Sequence, residues 1–292
     1  MGDSGDSAVR WVWDRQSVWS QAADQAKRSI GRARRAGLVL GVTGACLGTA
    51  AAQVMGWSEE AGKSLAFLAA VAVGLVPLAT RNAGPQQVRE WTRLRSLSEE
   101  LKSEVHVYLA HVVPYREADA SQLLLERAER ALADASDLAG HTVGLTPRRR
   151  ALPLVTDVGS YLRLRVADQI AGYYRPRAAY MSRRGARVRR VELALAVGAA
   201  LLGAASGAFG DEWPVAWIAT VTTVAAAFTA HAAASRYAYQ EMDFSRTAAE
   251  LEGLTVRRAQ AADPATDDAF VERCERVIAA QNQGWQAKWL GE

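Results

Sequence analysis

The sequence predicts an all-α integral membrane protein: four transmembrane helices in two hairpins, joined to long cytosolic helices. Three observations carry this. Four stretches, 38–55, 64–80, 193–209 and 213–235, contain no Lys, Arg, Asp or Glu. At about 1.5 Å of rise per residue, 17 to 23 such residues nearly match a hydrocarbon layer roughly 30 Å thick. Cations crowd at one end of each hairpin and are scarce in the turns, and no segment alternates apolar and polar residues as a half-buried strand would.

The first element, 1–36, reads as an amphipathic cytosolic helix that ends in Lys27, Arg28, Arg32, Arg34 and Arg35. Trp11, Trp13 and Trp19 within it suit either lipid headgroups or packing on the protein's own helices. Hairpin one occupies 37–81, with Glu59, Glu60 and Lys63 in its turn. Gln53 marks a polar outer end and Pro77 a kink. A cytosolic helical hairpin follows at 82–140. Gly84 and Pro85 break the chain, and a helix then carries Val88, Trp91, Leu94, Leu97, Leu101, Val105, Tyr108 and Val112 on one face. Pro114 ends it, and a second helix repeats the spacing through Leu124, Ala128, Ala131, Ala135 and Leu138 before Gly140.

Residues 141–156, with Gly144, Pro147 and Pro153, form a linker. A cytosolic amphipathic helix is expected at 157–190, its stripe formed by Val158, Leu162, Val166, Ile170 and Tyr173, with a kink at Pro176. It ends in Arg183, Arg184, Arg187, Arg189 and Arg190, directly against hairpin two at 191–236, whose turn holds Asp211 and Glu212. No Gly- or Ser-rich linker separates them, so movement of the cytosolic helices should reach the hairpin. C-terminal cytosolic helices fill 237–292, split at Asp263 and Pro264, with Phe270, Cys274, Val277, Gln281, Trp285 and Trp289 as the last stripe. The plan of basic helix, hairpin and long helix occurs twice; Arg81 and Arg236 close the hairpins at equivalent points, 155 residues apart.

Charge placement sets the expected topology. Lys and Arg beside spans stay on the cytoplasmic side, where anionic headgroups also favour them, so both termini are expected inside a multi-pass inner (plasma) membrane protein. Arg34 and Arg35 before an apolar run and Ala50–Ala52 could imitate a cleaved twin-arginine signal; a long Trp-rich region ahead and a second apolar run close behind argue against it. The net charge of +4 comes without a nucleic-acid-binding motif, so no nucleic acid partner is expected. Two cysteines, Cys46 and Cys274, imply no disulfide framework.

Chemistry-bearing patterns are sparse. His106, His111, His141 and His231 show no metal-ligand spacing, and there is no phosphate loop, nucleophile elbow or zinc-protease motif, so neither an enzyme nor a cofactor is expected. The spans say more. Gly37, Gly41, Gly44 and Gly48 line one face of the first, and Gly203 and Gly207 repeat the device in the third; small residues let helices approach closely in lipid. Packing within or between copies is the first reading of these glycines and pore lining the second. Polar residues at depth are His231, Thr223, Thr229 and Gln53, with Thr220 and Thr222 beside them; hydroxyls can return to the backbone, whereas a ring that titrates in lipid usually faces protein or water.

Several local patterns resemble the SLATT domain family, the SMODS and SLOG-associating two-transmembrane effectors. They are Gln16-Ser17-Val18-Trp19-Ser20-Gln21-Ala22 before the first hairpin, Tyr161-Leu162-Arg163-Leu164-Arg165-Val166 with Gln169-Ile170-Ala171-Gly172-Tyr173-Tyr174 before the second, and Phe270-Val271-Glu272-Arg273-Cys274-Glu275 with Trp285 and Trp289 at the end. The resemblance implies two tandem copies and a membrane effector of bacterial conflict systems, acting by pore formation beside nucleotide-producing or nucleotide-sensing partners. The expected function is therefore a homo-oligomeric pore or channel in the lipid bilayer, answering a cytosolic sensor or nucleotide signal. A non-conducting scaffold that docks a cytosolic partner and a small transporter are the alternatives.

Overall fold

The computed structural model describes residues 2–209, 213–260 and 266–290, with side chains described for 5–209, 214–233, 235–260 and 266–281. The turn residues Asp211 and Glu212, the Asp263–Pro264 break and the side chains of Trp285 and Trp289 lie outside these. Every element among the described residues is helical. Four helices are long and apolar enough to cross a membrane, and the protein is a multi-pass membrane protein.

Helix α1 (Gly2–Val54) runs unbroken through the basic cluster. Ser58 then caps α2 (Glu59–Gly74) by accepting from the Ala61 N–H, and Glu59 and Glu60 in its first turn suit the positive end of the helix dipole. The helix breaks at Leu75. Pro77 lacks the N–H that the ladder needs there, and the chain resumes as α3 (Val76–Thr80). Gly84 is extended and Pro85 opens α4 (Pro85–Leu109), a position where its missing N–H costs no helical bond. Helix α5 (Ala120–Asp134) packs on α4 through Leu124 and Ala128.

After a 3₁₀ turn at Ser136–Thr142 the linker begins with Gly144, whose φ of +77° suits a residue without a Cβ. Asp157 starts α6 (Val158–Tyr161) with a capping box: its carboxylate accepts from the Ser160 N–H at 2.6 Å, and the Ser160 hydroxyl accepts from the Asp157 N–H. Two π-helical segments follow, Leu162–Ala167 and Gln169–Tyr174, before α7 (Arg175–Phe209). The helix continues through Pro176, whose missing N–H falls where the π turns give way to α. Helices α8 (Trp213–Ser235), α9 (Tyr237–Gln260) and α10 (Asp267–Leu290) complete the chain.

The chain forms two compact units. A membrane unit comprises 29–84 and 179–241; a polar unit gathers 1–28, 85–178 and 242–292. The polar unit has a core of Val9, Val12, Trp13, Trp19, Leu94, Leu101, Val105 and Leu124, so the N-terminal Trp residues pack on the protein's own helices. Its last helices bury Phe244, Leu251, Phe270, Cys274 and Ile278. Two expected stripes shift: Tyr161, Arg165, Val166, Gln169 and Tyr174 point inward where Leu162, Ile170 and Tyr173 are only half-buried, and Ile278 replaces Val277.

Candidate functional site

In the membrane unit the glycine face of α1 serves two purposes. A side chain at Gly37 would collide with Thr80, and one at Gly44 would place its Cβ 2.5 Å from Val73 Cγ2. These glycines, one heptad apart, are what let α2 and α3 lie against α1. Gly41 and Gly48, about 40° around the helix, face open space. In hairpin two, Gly203 would touch only Ile218 at 3.9 Å, and Gly207 meets nothing.

The intramembrane polar residues divide likewise. Thr222 and Thr223 return their hydroxyls to the Ile218 and Ala219 carbonyls, at 2.6 and 2.8 Å. Thr220 is buried and its hydroxyl meets that of Thr49, tying the first span to the fourth. Thr229 donates to Glu192 Oε1 at 2.9 Å. Glu192, at the head of the third span, escaped notice in the sequence because it reads as one more charge beside the arginine cluster. His231 and Gln53 are half-buried. Around the hairpins' basic ends, Arg32, Arg35, Arg183, Arg184, Arg187, Arg189 and Arg190 are exposed and Arg34 is half-buried. Arg184 donates to the Tyr180 hydroxyl.

The polar unit holds a charged cluster that periodicity alone did not reveal. Arg165, only 1% exposed, grips Glu275 of α10 with two parallel bonds: Nε to Oε1 and Nη2 to Oε2, both 3.0 Å. The Tyr161 hydroxyl donates to the same Oε1 at 2.7 Å. With its amide oxygen turned inward, Gln169 accepts from Lys102 Nζ and Arg165 Nη1 at 3.2 Å. The π turns bring this about: i→i+5 bonding widens the coil, so 161, 165, 169 and 174, spaced by four, four and five, share one face. From α4, Arg95 pairs with Glu99 at 2.6 Å, and His106 donates from Nδ1 to the Lys102 carbonyl at 2.7 Å.

Electrostatics follow from this crowding. Burial opposes the Glu275 charge, yet the Arg165 guanidinium beside it and the bonds it accepts hold its carboxyl at about 2. Burial, with Arg165 nearby, pushes His106 down to about 4, so the ring is neutral at pH 7. Burial and the Glu275 charge raise the Tyr161 phenol well above its ordinary range. A cavity of about 260 Å³ beside the cluster is lined by Ser96, Glu99, Glu100, Ser103, Glu104 and Glu275. No group of side chains suited to hold a metal ion occurs among the described residues.

Comparison with known families places this geometry. Residues 161–285, which carry Tyr161, Arg165, hairpin two and Glu275, match the SMODS and SLOG-associating 2TM effector domain 1. Residues 17–122, which carry hairpin one, match a family described as a protein of unknown function, DUF4231. The chain therefore carries a SLATT domain, and the two matches fit a tandem arrangement of SLATT-like copies. No curated protein and no solved structure matches the chain.

Proposed function

We propose that this SLATT-domain protein is a homo-oligomeric bacterial membrane effector that opens a pore or channel in a conflict or antiviral defence system. The supporting observation is a two-transmembrane effector domain whose apolar helix window in the third span has none of its residues buried within the chain. Such a surface needs lipid or other copies around it. Four spans are too few to enclose a water path alone, so several subunits would line it, with Gly41, Gly48 and Gly207 as the open small-residue positions. The arginines at the hairpins' basic ends favour an inner-membrane orientation with both termini in the cytoplasm. There the polar unit would meet a cytosolic sensor or nucleotide signal, and no catalytic step is part of the reading. The trigger would bind the open state better than the closed one, since only differential affinity shifts such a balance.

Purified protein in liposomes tests this. Specific ion conductance supports the channel, coupled solute uptake would make it a transporter, and silence of a verified oligomer with its trigger absent or present leaves a scaffold. Orientation is checked separately by an impermeant thiol reagent on intact cells. A cysteine at Ser58 should be labelled and one at Ser121 should not.

A further inference from the structure

The linker between the two halves is not a free tether. Trp13, Ser17 and Gln21 lie four residues apart on one face of α1, and each holds the backbone of residues 146–151. Trp13 Nε1 donates to the Ala151 carbonyl at 3.1 Å, Ser17 Oγ accepts from the Arg148 N–H at 3.1 Å, and Gln21 Nε2 donates to the Thr146 carbonyl at 2.9 Å. The extended chain is thus laid antiparallel along the helix, and its arginines are held in place.

What this arrangement presents is a cleft of about 500 Å³ lined by Arg10, Asp14, Arg149, Arg150 and Ala151. The Arg150 guanidinium stacks 3.8 Å from the Trp13 ring centroid, a planar contact that fixes its orientation. Its Nη2 donates to Gln16 Oε1 and to the Trp13 carbonyl, which leaves the Nε and Nη1 donors without a protein acceptor among the described residues. Arg10 and Arg149 are exposed and make no ion pair or hydrogen bond among the described residues. Asp14 lies near Arg150 without forming an ion pair, so three guanidinium groups face one carboxylate. Burial, with Arg148 nearby, draws the Arg150 guanidinium below its ordinary value despite Asp14. Positive charge is gathered here on an exposed face.

We propose that this cleft binds a phosphate-bearing anion, with Arg10, Arg149 and Arg150 donating to its oxygens and Asp14 setting a limit on affinity. Guanidinium groups suit the purpose because their forked donors match phosphate oxygens. The shared chemistry has two sources, a soluble phosphate ligand or an anionic lipid headgroup. The site stands on the geometry of the polar unit and is independent of whether the protein conducts.

The test uses the full chain in phosphatidylcholine nanodiscs, titrated calorimetrically with tripolyphosphate against sulfate at matched ionic strength. Saturable binding should appear for tripolyphosphate and weaken with added salt. The exposed pair Arg10→Glu and Arg149→Glu should lower affinity at least about tenfold, while Asp14→Asn should raise it. Neither Arg10 nor Arg149 supports the core, and unchanged circular dichroism would verify folding. Repeating the titration in nanodiscs containing phosphatidylglycerol separates the sources: loss of the tripolyphosphate signal identifies headgroup occupancy, and retention identifies a soluble ligand. Binding no stronger than that of sulfate, or binding untouched by the double charge reversal, overturns the proposal.

Discussion

In the polar unit a whole guanidinium, that of Arg165, is enclosed at 1% exposure against Glu275, whereas in the membrane unit helices approach closely where side chains are missing, at Gly37 and Gly44. The contrast reflects the two solvents. Water drives Val12, Leu94, Leu101 and Leu124 together, and the same unit encloses a charge cluster whose partners satisfy one another. Lipid offers no such drive, since tails are as apolar as the helices, so close approach and dispersion must hold the hairpin. Charge complementarity specifies the first unit and small residues the second.

The largest expected effect comes from unpairing the enclosed charge. Arg165→Met leaves Glu275 buried without its partner and should cost about 3–5 kcal/mol of polar-unit stability. Combining it with Glu275→Met should recover most of that loss. Denaturant titration in detergent, followed by near-ultraviolet circular dichroism, measures both, and a single-variant cost below about 1 kcal/mol would erase the contrast.

Acid should act on the polar unit first. Glu275 is held below its ordinary value, so its contribution is complete above pH 4.5 and is lost as pH falls towards about 2. His106 is held below 6.5, so the unfolded chain takes up that proton first and stability begins to fall below pH 6.5. Both shifts have the same sign, each worth on the order of 1.4 kcal/mol per pH unit across its window. The denaturation midpoint should be level near pH 7 and decline below 6.5. His106→Asn should move the onset of decline to near pH 4.5, where the carboxylates held low in the cluster, Glu275 and Glu99, begin to act; an unmoved onset would exclude His106 as the cause.

Within the membrane unit, Gly44→Leu should cost about 1–3 kcal/mol by overpacking against Val73, while Gly207→Leu in the isolated chain should cost less than about 0.5 kcal/mol. Equal costs would show that hairpin two is packed as tightly as hairpin one. A comparably small effect is expected at Thr220→Val, which removes the hydroxyl contact with Thr49 and should cost about 0.6 kcal/mol. Detergent-unfolding titrations of helicity compare all three variants.

Much of the architecture was legible because absence of charge over 17 to 23 residues has few physical explanations. Breaks at Pro77 and Pro85 and the start at Asp157 were legible for the same reason: each residue has a narrow conformational use. The charged cluster was not. Arg165, Glu99 and Glu275 fall on helices rich in charge, where such residues ordinarily meet water, and the widened π turns keep Arg165 on one face with Gln169 and Tyr174. Nor could spacing tell Gly44 from Gly41, because the difference is whether Val73 lies opposite. The linker read as punctuation, since the side chains that fasten it lie more than a hundred residues earlier.

Arg165 and Glu275 are separated by 110 residues of chain, and both membrane-spanning helices of hairpin two lie between them. A ribosome adding about 5–20 residues per second would take roughly 5–20 s to cover that distance. Throughout this interval the nascent chain carries a guanidinium awaiting its carboxylate, and α4 lacks the α10 surface it will pack against. Both helices of hairpin two are therefore synthesised before the polar unit can close. Closure of the polar unit thus waits on translation of the second pair of spans, a sequence of events written into the order of the gene.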